Sequence, residues 1–89
     1  MPRFEFSERF ADDLASVTSR RVEAGIMRAL DNIESFGDFG SPIMPDSIKR
    51  RFGDGVRKVV VRPYDLIYTH YPNEGVARVE ALVLARSAR

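Results

Sequence analysis

Residues 53–71, GDGVRKVVVRPYDLIYTHY, constrain the fold most. Two strand-like runs, 56–62 and 65–71, meet at Pro63 and Tyr64. β-branched and aromatic residues dominate them, as a half-buried sheet requires. Their charges are nearly all basic: Arg57, Lys58 and Arg62, with Asp65 the acid. A sheet carrying cations among apolar residues is a candidate surface for an anionic partner.

The flanking segments supply the rest of a small α+β domain. Arg3-Phe4-Glu5-Phe6 alternates and reads as a short strand. Ser7 is placed as an N-cap, with Glu8 in the first helical turn, where the dipole favours an acid. Phe10, Leu14 and Val17 fall on one face of a helix of roughly three turns. Thr18-Ser19 interrupts it, and Ser19 can cap a second helix with the stripe Val22, Ile26, Ala29/Leu30, Ile33 and Phe36. Gly37 stands where a C′ glycine ends such a helix. A connection this short makes an antiparallel helical hairpin.

Residues 38–46 read as loop, with Gly40, Pro42 and Pro45. Residues 46–52, DSIKRRF, fit either a helical turn or an extended approach. Pro72-Asn73-Glu74-Gly75 is a turn signal before a last strand from Val76 to Leu84. The expected order is β-α-α-β-β-β: an antiparallel sheet covered on one face by the helical hairpin, because the two apolar surfaces have no other partner. The sequence shows neither internal repeats nor low-complexity segments.

Composition narrows the function classes. The 89 residues suit one domain, 1–89. A chain this short buries only roughly 60–65% of its unfolded surface, so partner binding matters to its stability. It has no cysteine, which excludes disulfides and thiolate metal sites and fits a reducing cytoplasm. No apolar run reaches the ~20 residues of a membrane helix, and the N-terminus lacks an apolar signal core. Net charge is only +1, but arginine clusters recur at Arg20-Arg21, Lys49-Arg50-Arg51, Arg57-Lys58-Arg62 and Arg86/Arg89. Arginine suits bidentate contact with carboxylate or phosphate. Neither a metal-ligand spacing nor a glycine-rich phosphate loop occurs, so no cofactor is expected.

The chain resembles the RelE/ParE superfamily, toxins of bacterial type II toxin–antitoxin modules. FSERFADDL at 6–14 resembles the family's first helix. GVRKVVVRPYDLIY at 55–68 resembles its central signature: a glycine, an arginine, a basic-apolar strand, then Y-x-(I/V/L)-(I/V/F)-Y. VEALVLAR at 79–86 resembles its final strand and closing arginine. The resemblance spans essentially the whole chain. It implies the family's α+β fold, an antitoxin that wraps the toxin, and one of two targets. RelE-like members cut messenger RNA on the ribosome without metal, and ParE-like members inhibit DNA gyrase.

Metal-free RNA cleavage needs a proton acceptor, a proton donor and cations for the charged transition state. The resemblance implies basic strand residues and often a C-terminal tyrosine or histidine. Asp65 stands where an arginine often follows the signature tyrosine, and the sequence ends at Arg89, soon after Arg86. Arg57 and Arg86 remain, but arginine does not give up its proton near neutral pH. His70 is the sole histidine, with strand packing as its competing role, and Glu80 is a base or a cross-strand ion pair. Tyr64, Tyr68 and Tyr71 are candidates for base stacking. Tyr64 and Tyr68 share a parity, so at least one belongs to the core.

The expected function is therefore that of a toxin neutralised by a cognate antitoxin, ParE-like, binding gyrase rather than catalysing a reaction. The alternatives are a RelE-like metal-independent mRNA endoribonuclease using Arg57, Arg86, Glu80 and His70, and a degenerate toxin that only binds antitoxin. The antitoxin is expected to use the strand at 3–6 and the groove beside the helical hairpin, pairing acids with Arg20, Arg21, Arg28, Arg57 and Arg62. A free chain would expose part of that groove, making self-association a further expectation.

Overall fold

The computed structural model describes residues 2–43, 46–53 and 55–85. The elements are β1 (Arg3–Phe6), α1 (Glu8–Ala15), α2 (Arg20–Ser35), α3 (Asp46–Phe52), β2 (Val56–Val61), β3 (Tyr64–Tyr71) and β4 (Val76–Leu84). One four-stranded sheet takes the order β1-β4-β3-β2. β2, β3 and β4 are antiparallel neighbours, joined by the short turns that the sequence marks. β1 pairs with β4 in parallel, Arg3 against Val76 through Phe6 against Val79. The sheet is thus mixed, where antiparallel pairing was expected throughout. Turn length governs consecutive strands, whereas β1 reaches β4 only after the whole helical segment has crossed over.

Both helix starts form as the sequence indicates. The Ser7 hydroxyl accepts from the Phe10 amide at 2.9 Å, and Ser19 accepts from Val22 at 3.3 Å. α1 is shorter than expected, because Ser16 caps it and leaves Val17 beyond the helix, still packed on the core. α2 ends at Phe36, which is 65% exposed and extends no apolar stripe. Gly37 does not take the positive φ of a C′ glycine; only Gly53 and Gly75 do so among the described glycines.

The helical hairpin covers one sheet face. Phe10, Ile26, Leu30 and Ile33 pack there with Leu66, Tyr68, Val79 and Leu82. Each fully buried side chain of this size contributes about 1.5–3 kcal/mol. α3, the segment left open by the sequence, is helical and covers part of the opposite face. Ile48 packs there with Val56, Ile67 and Ala81, flanked by Phe52 and Val83. Its Asp46 sits in the first turn and Lys49, Arg50 and Arg51 in the last, both favourable to the helix dipole.

A register shift between Ile67 and Tyr68 leaves Glu80 as an extra residue in β4. Beyond β1, the outer edge of β4 is finished by α1 instead of a strand. Ser7 donates its amide to Val79 O at 3.0 Å and its hydroxyl to Glu80 O at 2.6 Å. Asp13 Oδ2 accepts from the Leu82 amide at 3.0 Å.

Candidate functional site

α2 packs across β2, the edge strand, and leaves a groove of about 650 Å³ between them. Its apolar floor and walls include Val22, Ala29, Val59 and Phe39. Arg21 and Arg28 reach it from α2, and Arg62 from the turn after β2. No carboxylate is among the described residues that line it. α2 comes close to β2 at Gly25, where a Cβ would lie 3.0 Å from Val61 Cγ1. Of the expected partner-binding arginines, the structure therefore brings Arg21, Arg28 and Arg62 together. Arg20 is exposed at the first position of α2, outside the groove lining.

Arg57 points elsewhere. Its Nη1 donates to Gly40 O at 2.9 Å and to Asp38 O at 3.4 Å, and Nη2 lies 3.9 Å from Asp38 Oδ1. These contacts hold a strap, residues 36–41, that leaves α2 and crosses to the edge of β2. Ser41 and Lys58 exchange both backbone hydrogen bonds at 2.9 Å. The buried Tyr68 hydroxyl donates to Gly37 O at 2.9 Å and accepts from Gly40 N at 2.7 Å. A Cβ on Gly40 would come within 2.7 Å of the Tyr68 ring and 2.9 Å of Lys58 O. Burial pushes the Tyr68 phenol above its ordinary 10.0; the Gly40 amide and then Arg57 oppose it, and Asp38 adds the smallest push upward.

His70 completes the strap. Its Nδ1 sits 2.9 Å from Asp38 Oδ1, and its side chain is 14% exposed. The other side of the ring lies against Gly37, where a Cβ would overlap Nε2. An imidazole paired with a carboxylate has the form of an oriented base, but here the second nitrogen faces backbone. Close approach to His70, not a left-handed conformation, is what Gly37 provides.

Glu80 is held apart from this cluster. Its carboxylate accepts from Arg78 Nε at 3.1 Å and from Thr69 Oγ1 at 3.2 Å. Strand alternation puts Thr69 on the sheet face opposite Tyr68 and His70. Arg57 and His70 are thus gathered around Asp38, and Glu80 is not. Arg86 lies outside the described residues. Asp65 is 5% exposed and shares its face with Ile67, so it does not interrupt a cationic surface beside Arg57. Tyr68 is core, Tyr64 half-buried and Tyr71 exposed.

Asp38, Phe39 and the outward position of Val60 belong to none of the motifs that the sequence offers. A glycine on each side of Asp38-Phe39 was the available signal for a tightly fitted loop. Among the described residues, no group of three or more His, Asp or Glu could hold a metal ion, and no helix is long and apolar enough to cross a membrane.

The fold is similar to a chain of a solved complex, the "Crystal structure of the intact E. coli RelBE toxin-antitoxin complex". The TM-score is 0.71 at 17% identity, over 96% of this chain and 98% of that one. No family model and no curated protein matches the sequence. At this identity the likeness is one of fold.

Proposed function

We propose that this chain is the toxin of a type II toxin–antitoxin pair, and that an acidic, partly apolar segment of its antitoxin neutralises it by filling the groove between α2 and β2. One observation carries the reading: a groove lined by Arg21, Arg28 and Arg62, without a carboxylate among its described lining, on the fold of a chain from a toxin–antitoxin complex. Arginine at each of three approaches favours carboxylates over a neutral partner.

The toxin acts by binding its target, with DNA gyrase the ParE-like choice. Arg57 and His70 are engaged in the strap, and Glu80 is bonded to Arg78 and Thr69, which supports a binder over an acid–base catalyst. The likeness to the RelBE chain favours a second reading, a RelE-like metal-independent mRNA endoribonuclease. Induced expression in a bacterial host separates them. The binding reading expects arrested growth, inhibited gyrase supercoiling and intact transcripts. Normal supercoiling with toxin-dependent transcript cuts selects the nuclease, and harmless expression contradicts both.

A further inference from the structure

The groove between α2 and β2 differs in chemistry from one end to the other. Arg21, Gly25, Arg28 and Asn32 recur at steps of three and four, so they share one ridge of α2. A Cβ on Gly25 would lie 3.0 Å from Val61 Cγ1 and 3.9 Å from Arg28 Nη2. The Arg28 guanidinium is therefore folded back over Gly25, toward the N-terminal end of the ridge. Arg21 stands at that end, and Arg62 follows Val61 on the facing wall. All three cations gather there. Asn32 lies about two helical turns beyond Gly25, roughly 10 Å along the axis. Phe39 belongs to the same end, since its amide donates to Phe36 O at 2.7 Å, at the C-terminus of α2. Its ring is 45% exposed.

We propose that this groove binds a nucleoside triphosphate, with its phosphates among Arg21, Arg28 and Arg62 and its base on Phe39, within reach of Asn32. Guanidinium groups meet phosphate oxygens in pairs of hydrogen bonds. No carboxylate among the described lining residues opposes a polyanion. Arginines alone would take any polyanion; the ring and the amide at the far end select one that carries a base. An aromatic face stacks on a base of any sequence, and the asparagine amide offers a donor and an acceptor to its edge. The volume of about 650 Å³ falls within the range of small-ligand sites, roughly 300–1,000 Å³. This binding needs only the groove and does not depend on the toxin reading. One consequence rests on that reading: nucleotide and antitoxin compete for the same arginines, so neutralisation weakens as nucleotide rises.

The probes are ATP, inorganic triphosphate and adenosine, each titrated into the isotope-labelled free chain and followed by amide chemical shifts. ATP should bind about tenfold more tightly than triphosphate, the order expected for one stacked base, and adenosine alone should not bind measurably. Both anions should move Arg21, Gly25 and Arg28, and only ATP should move Asn32 and Phe39. Arg28→Gln should weaken both anions about tenfold, as for a lost charged hydrogen bond. Phe39→Ala should remove the advantage of ATP and leave triphosphate unchanged. Where Phe39→Ala fails to fold, the difference between the two shift maps of the wild type makes the same test. Equal affinity for ATP and triphosphate, shifts centred on Lys49–Arg51 of α3, or no binding at millimolar ATP overturns the proposal. Competition with antitoxin is read separately: ATP that binds as expected yet leaves antitoxin affinity unchanged defeats the assignment of the groove to the antitoxin, not the nucleotide site.

Discussion

Tyr68 joins the core to the strap with a single side chain. Its ring packs among Leu66, Val79 and Ile33, while its hydroxyl bridges Gly37 and Gly40. Tyr68→Phe keeps the ring and leaves a buried Gly40 amide without its acceptor. It should destabilise the fold by about 1–3 kcal/mol in chemical denaturation. The pH dependence has a definite sign. The folded-state value is raised, so this contribution is fully present below about 10 and is lost as pH climbs from there through the folded value. Denaturation midpoints measured from pH 8 to 11 should fall more steeply for the wild type than for Tyr68→Phe; parallel curves would contradict it. Parity along β3 made a core position for Tyr64 or Tyr68 legible. The hydroxyl partners were not, because they lie 31 and 28 residues away in a loop without periodicity.

At the scale of elements, legibility follows local chemistry. α1 and α2 announce themselves through serine caps and apolar stripes, and β2 to β4 through β-branched runs and short turns. α3 has only Ile48 and Phe52 as an apolar pair, amid three successive cations, so no stripe separates helix from extended chain. The parallel pairing of β1 with β4 and the Ser7 bond to Glu80, 73 residues apart, depend on tertiary return of the chain. α3 nonetheless seals the smaller core. Ile48→Ala should cost about 2–5 kcal/mol, nearer the lower figure because half-buried Phe52 can close over the gap. Thermal unfolding checks this, and an unchanged midpoint would show that α3 contributes no packing. The catalytic candidates were less legible than the elements, since alternation alone does not say which side chains a loop such as 36–41 will engage.

Over the whole molecule, charge is nearly balanced but unevenly placed. Three arginines gather at one groove, beside edge strand β2, on a fold seen in a toxin–antitoxin complex. Cationic residues that the sequence marks as a candidate surface for an anionic partner divide into two roles. Arg57 braces a loop, and Arg21, Arg28 and Arg62 face a space fit for carboxylates. The direct measurement is the affinity of this chain for the antitoxin proposed for it, compared with an Arg28→Glu, Arg62→Glu double variant. Both positions are exposed, so the variant should fold as the wild type does. Reversing two of three groove charges should weaken binding about a hundredfold or more, as charge mismatch at an interface costs several kcal/mol. An affinity equal to that of the wild type would contradict the assignment of the groove as the neutralisation site.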